Sequence, residues 1–144
     1  MANEAASGVL VFGNSVKRCL TRPEFMTDFY DFFIASSPEI RDKFKDTNLE
    51  QQRQMVADSL YLMAVAGQTP VREESVPWVE MSRLAKRHAH SDRNIRPELY
   101  ELWLDCLLQA ARKHDPEYSP AVEAAWRAAL RPGIEFMQSR YAEG

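Results

Sequence analysis

The residues best suited to metal or covalent chemistry are three histidines, His88, His90 and His114, and two cysteines, Cys19 and Cys106. The cysteines lie far apart and form no metal-type or redox spacing. Both sit in mostly apolar, helical-looking surroundings, the pattern of buried free thiols in a reducing cytoplasm. His88 and His90 fall close together in "SRLAKRHAHSDRNIRPELY", Ser82 to Tyr100. On a helix side chains advance by about 100° per residue, so the two rings point to roughly opposite sides. Met81, Leu84, Ala85 and His88 stand at i, i+3, i+4 and i+7 and form one stripe. His90 shares its side with Arg83, Lys86 and Arg87. Helical phase therefore turns His88 inward and His90 toward solvent. His114, in the polar corner "RKHDPE", reads as exposed.

An inward histidine has two uses. It is a core group hydrogen-bonded to a backbone carbonyl, or it is a ligand, because neutral imidazole offers a lone pair at an apolar wall. No second histidine or carboxylate follows at i+3 or i+4 on the His88 stripe, so the stripe assembles no protein-only metal site. A lone inward ligand suits a cofactor that brings the rest of its coordination, as haem does for iron. Carboxylate pairs suited to acid–base catalysis do not stand out.

The elements that must position these groups are helical throughout. Thr21-Arg-Pro-Glu24 reads as a capping box with an early proline. It opens a segment whose aromatic face holds Phe25, Met26, Phe29, Phe32 and Phe33. Ser37-Pro38 starts a short helix ending near Phe44. Thr47-Asn48-Leu49-Glu50 reads as a second capping box, followed by Gln52, Met55, Val56, Ser59, Leu60 and Met63 on one face. The stretch "GQTPVREESVP", Gly67 to Pro77, breaks regular structure. Trp78 then begins the His88 stripe, and Pro97 opens a long helix carrying Tyr100, Leu104, Leu107, Leu108 and Ala111. Asp115-Pro116 ends it. Ser119-Pro120 starts the last helix, with Val122, Trp126, Ala129, Leu130, Gly133, Ile134, Met137 and Tyr141 inward and a bend expected at Pro132. No strand alternation, repeat or low-complexity linker appears.

The chain of 144 residues is long enough for one domain with a real core, residues 1–144, in which 1–13 form a leader that is in part helical. Apolar residues make up 45% and charged residues 27%, the balance of a globular protein. A net charge of −3 offers no phosphate-binding surface, which argues against nucleic acid. No apolar run approaches the ~20 residues of a membrane span. The start lacks the basic leader of a signal sequence. The expectation is a cytoplasmic all-α protein.

"LAKRH", followed by a break and "PELY", resembles the proximal segment of globins, in which a leucine one turn before the iron-binding histidine lies against the haem. Leu84 and His88 match that pair. "DFYDFFIASSPEIRDKF" resembles the distal segments of bacterial globins and flavohaemoglobins, with Tyr30 at the distal tyrosine and Phe44 at the phenylalanine that packs on the haem. "QRQMV" places Gln52 at the distal polar position and Val56 one turn on, with Met55 beside it as apolar wall. Trp126 in "AVEAAWRAAL" resembles a tryptophan near the start of the last helix of the same group. The resemblance runs from Asn14 to Tyr141.

It implies a globin fold, a helical sandwich enclosing one haem b, with His88 on iron and Tyr30 and Gln52 stabilising bound dioxygen. Phe44, Leu84, Met55, Val56 and Tyr100 would contact the cofactor; Arg93 and Arg87 read first as a solvated charge run and second as partners of the propionates at the pocket mouth. Diatomic gases (dioxygen, nitric oxide, carbon monoxide) are the implied ligands. Tight, slow-release binding suits nitric oxide dioxygenation with an external reductase, or sensing, better than bulk oxygen transport. A non-enzymatic gas- or redox-sensing globin, or a haem-free regulatory one, is the other role the resemblance allows. The chain departs from the pattern in two places. Tyr100 lies further from His88 than the family spacing, which His90 fits; choosing His90 puts Lys86 at the haem-contacting leucine, burying an ammonium at a cost of several kcal/mol, so His88 is preferred. Flavohaemoglobins also pair their proximal histidine with a late glutamate, and Ala142 occupies that position here.

Overall fold

The computed structural model describes residues 2–69, 75–89 and 93–143, with the backbone alone at 2–7 and 143. Seven α-helices follow in order among them: α1 (Ala2–Leu20), α2 (Glu24–Ala35), α3 (Pro38–Phe44), α4 (Leu49–Gly67), α5 (Val76–His88), α6 (Glu98–His114) and α7 (Pro120–Ser139). A short 3-10 turn, Tyr141–Glu143, closes the chain. The all-helical architecture is the one the sequence implies. Among the described residues no helix is long and apolar enough to cross a membrane.

Local chemistry explains most of the boundaries. Ser37, Asn48 and Ser119 sit in extended conformation and accept the amides of Glu39, Gln51 and Val122, which satisfies orphan donors of the first turn. Pro38, Pro77 and Pro120 occupy first-turn positions, where no amide hydrogen is needed. Two expectations fail here. The Thr21 box does not form: Thr21 Oγ1 donates back to the Arg18 carbonyl at 2.7 Å, and α2 begins without a side-chain cap. At α4 the cap is Asn48 rather than Thr47, whose hydroxyl reaches back toward the Lys43 carbonyl at 3.4 Å. In both cases the threonine hydroxyl points back to a carbonyl of the preceding helix, closely for Thr21 and at long range for Thr47.

The expected leader is instead part of a full helix, since α1 runs unbroken from Ala2. Phe12, Ser15, Val16 and Cys19 form its buried face. That face packs on α7, where Phe12 meets Trp126 edge-on at 5.2 Å. The other main packings set α2 on α6 and α4 on α7. Pro132 lies inside α7 and rests near Gly67 at the end of α4. Trp78 Nε1 donates to the Thr69 carbonyl at 2.9 Å and so ties the start of α5 to the end of α4. Both cysteines are buried free thiols, as expected. Burial pushes both up, Cys19 to about 12, which keeps them protonated and unreactive.

His114 corrects the sequence reading: it is 6% exposed, not a surface residue. Its Nε2 lies 2.6 Å from Asp28 Oδ2, and Phe25 stands edge-on to its ring. The last turn of α6 packs on α2, so charged neighbours in sequence conceal an inward face. Lys113 joins from the surface, and hydrogen bonds from Lys113 and His114 hold the Asp28 carboxyl below its ordinary range.

Candidate functional site

A cavity of about 870 Å³, its open mouth included, is lined by residues of α2 to α7. One wall comes from α5 and α6. Helix α5 places Leu84 and His88 one turn apart on the cavity, because Met81 and Ala85 from the same stripe are anchored in the core. His88 Nδ1 stands 2.8 Å from the Leu84 carbonyl. A carbonyl can only accept, so Nδ1 carries the hydrogen, and in a neutral ring Nε2 is then the nitrogen able to act as a ligand. One ring nitrogen meets backbone, and the ring also lines the cavity. Tyr100 lies beside it, ring centroids 6.5 Å apart, and burial pushes its phenol above the ordinary range.

The opposite set of side chains comes from α2, α3 and α4. Tyr30 is 2% exposed and meets Phe44 edge-on at 5.7 Å. Its hydroxyl donates to the Gln52 carbonyl across 3.4 Å, beyond the usual O–H···O range. Burial pushes this phenol up, only partly opposed by that bond, so it stays protonated and remains a donor at neutral pH. Val56 is buried, the Gln52 side chain is half-buried, and Met55, 39% exposed, stands at the rim. Arg93 also reaches the lining from the mouth and is exposed, while Arg87 is exposed without being part of the lining.

Thus His88, Leu84, Phe44, Met55, Val56, Tyr100, Arg93, Tyr30 and Gln52 all border one cavity. His90 lies outside the described residues. Sequence reasoning missed other lining residues, chiefly Phe33, Ile40, Ile95, Leu99 and Trp103. Leu99 and Trp103 share a face of α6 by their i, i+4 spacing, a usable signal. Residues 93–95 lie against the end of α5: the amides of Arg93, Asn94 and Ile95 bond to the carbonyls of Arg87, Ala89 and His88. Asn94 sits among them at φ 54°, a left-handed conformation that asparagine tolerates. The Tyr141 hydroxyl bonds to the Asn94 side chain. Ala142 is exposed, and the partner of His88 Nδ1 is a neutral carbonyl rather than a carboxylate.

A helical sandwich surrounds a largely apolar cavity, with an inward histidine on one wall and a tyrosine on another, the arrangement of a globin-like protein. The Globin family model matches residues 27–134. The chain belongs to the globin family. It is similar, at 31% identity and a TM-score of 0.85, to a crystal structure from Pseudomonas aeruginosa PAO1 described as structurally highly homologous to a human haemoglobin. That match covers 94% of this chain and 98% of the other. No curated protein sequence matches the chain.

Globins typically bind haem, and the residues present fit it. Among the described residues no three histidine, cysteine or carboxylate side chains gather into a protein-only metal site. The Nδ1 hydrogen bond of His88 and the largely apolar lining suit a flat apolar cofactor that carries its own iron.

Proposed function

We propose that the chain is a haem b globin that binds dioxygen, nitric oxide and carbon monoxide reversibly. Haem iron, when bound, supplies reversible coordination of a diatomic gas and access to the ferrous and ferric states. The observation that carries the reading is the His88 Nδ1 to Leu84 carbonyl bond in a ring that lines the cavity. His88 would hold the iron through Nε2, its orientation fixed from behind by the carbonyl. Leu84, Phe44, Val56, Met55 and Tyr100 would supply apolar contact, and Arg93 a cation at the mouth.

Tyr30 and Gln52 are the polar groups for the gas. A neutral donor in a dry pocket favours a ligand that gains partial negative charge over one that does not. The long bond from Tyr30 to the Gln52 carbonyl is weak, so turning the hydroxyl to a better acceptor costs little. Such a pair favours dioxygen retention and slow release. Consumption of nitric oxide by held dioxygen would need an external reductase to restore the ferrous state, and that reductase is the partner class the activity demands. His88, placed on the cavity wall, speaks against a haem-free regulatory role.

Titration of the purified protein with hemin tests the reading. A stoichiometric Soret band that shifts on dithionite reduction and again with carbon monoxide is expected. A protein that stays colourless, or binds hemin without saturation, sinks it.

A further inference from the structure

Two polar links join segments that flank the cavity lining on opposite sides in sequence. On one rim, α3 lines the cavity with Ile40 and Phe44 and carries Glu39 and Lys43 beside them. On the other, the segment entering α6 lines it with Arg93 and Ile95, and Arg96 follows. Arg96 Nε lies 3.0 Å from each Glu39 oxygen, and its Nη2 lies 2.5 Å from Oε1. Lys43 Nζ donates to the Arg93 carbonyl at 3.3 Å. The residue next to each partner of the ion pair is wall, Ile40 beside Glu39 and Ile95 beside Arg96, so the pair ties two segments of the wall together. The Arg96 segment is also held from behind, by Ile95 N on the His88 carbonyl at 2.9 Å and by Asn94 on Tyr141. Its front is held by Glu39.

We propose that Glu39 and Arg96 form a clasp that closes the cavity mouth around a bound cofactor and must open for that cofactor to enter or leave. The proposal rests on the haem reading above. Two-point contact makes this pair stronger than a single surface contact. Its partial exposure, with side chains 47% and 31% accessible, leaves it open to screening by salt. The guanidinium holds the Glu39 carboxyl below its ordinary range, so both partners are charged at neutral pH.

The test is transfer of hemin from the loaded protein to excess apomyoglobin. Glu39→Gln and Arg96→Met are expected to speed loss about threefold to fivefold at low salt. The wild type should approach them at about 1 M NaCl, where the screening length is about 3 Å. Glu98→Gln is the control: Glu98 also bonds Arg96 but from its own segment, without crossing the mouth, and its loss should leave the rate unchanged. Equal rates in Glu39→Gln and wild type, or equal acceleration by Glu98→Gln, overturn the clasp. Hydrogen exchange at the Ile95 and Leu99 amides of the hemin-free protein is the second readout, expected to quicken in Glu39→Gln. A chain that takes no hemin sinks the cofactor reading alone, and these exchange rates then decide the clasp, unchanged protection overturning it.

Discussion

The His88 imidazole and the Leu84 carbonyl stand 2.8 Å apart at the end of α5, and the same two residues line the cavity one turn from each other. A backbone group thus sets which nitrogen of the ring can act as a ligand, and a side-chain substitution at Leu84 leaves that group in place. His88→Gly should keep the helical circular dichroism of the wild type but lose the five-coordinate ferrous histidine spectrum, and added imidazole should restore it. Leu84→Ala should retain the histidine spectrum while losing hemin faster. His90→Ala should behave as wild type. Loss of the histidine signature in His90→Ala with retention in His88→Gly would reverse the ligand assignment.

Tyr30 carries a separable prediction. Its hydroxyl has only a long bond to the Gln52 carbonyl, and burial keeps it protonated. Removing a donor to a partly charged acceptor costs about 1.5–3 kcal/mol, which is about one to two orders of magnitude in release rate. Tyr30→Phe should therefore speed dioxygen dissociation by that factor in stopped-flow measurements. Carbon monoxide, which gains less charge, should change far less. An unchanged dioxygen off-rate would mean that the hydroxyl stays with the Gln52 carbonyl.

Where boundary chemistry was strong, the fold could be read from residues. Ser37-Pro38, Pro97 and Ser119-Pro120 open α3, α6 and α7 where expected. Helix α1 was hidden because Gly8 and Gly13 dilute its pattern, although Phe12, Val16 and Cys19 repeat at helical spacing. A Cβ at either glycine would meet nothing within 4 Å, so both lie on an unconstrained face. The His88 stripe was legible since its phase is unambiguous. His114 was not, because its inward direction depends on how α6 lies on α2. Ile95 and Leu99 also escaped: an apolar side chain at a cavity and one in a packed core have the same periodicity, and only packing tells them apart.

Gly133 and Met63 mark the close approach of α7 to α4 behind the cavity. A Cβ at Gly133 would lie 2.9 Å from Met63 Cε and 3.1 Å from its Cγ. The methionine end can move, but Cγ and Cβ are held nearer the α4 backbone. Replacing a helical glycine by alanine gains about 1 kcal/mol in propensity, while overpacking costs typically 1–3 kcal/mol. The second effect should win, and Gly133→Ala should lower the urea midpoint. Met63→Ala alone should also destabilise, by leaving a void, yet in the double variant the two losses should be less than additive. Strict additivity would show that the glycine is not required by this contact.

Asp115 predicts the acid behaviour of the fold. It is 3% exposed, and its carboxylate accepts from Ser15 Oγ at 2.6 Å, from Arg18 Nε and Nη2 at 2.6 and 2.9 Å, and from the Glu117 amide at 2.9 Å. Ser15 Oγ in turn accepts from Trp126 Nε1 at 2.8 Å, so the cluster joins α1, the end of α6 and α7. Burial by itself pushes this carboxyl up, but Arg18, Ser15 and the Glu117 amide outweigh it and hold the group below its ordinary range. A folded-state pKa below the unfolded value gives stabilisation that is complete above the unfolded value of about 4. That stabilisation is lost as pH falls through the folded value. Asp115→Asn keeps the size and removes the charge, so it should cost about 1–3 kcal/mol at pH ~7. The same substitution should cost progressively less below pH ~4, as the wild-type carboxylate is itself protonated. Urea unfolding of both proteins across that range should show converging midpoints. A constant gap at every pH would place the contribution of Asp115 in the shape of the hydrogen-bond cluster and not in its charge.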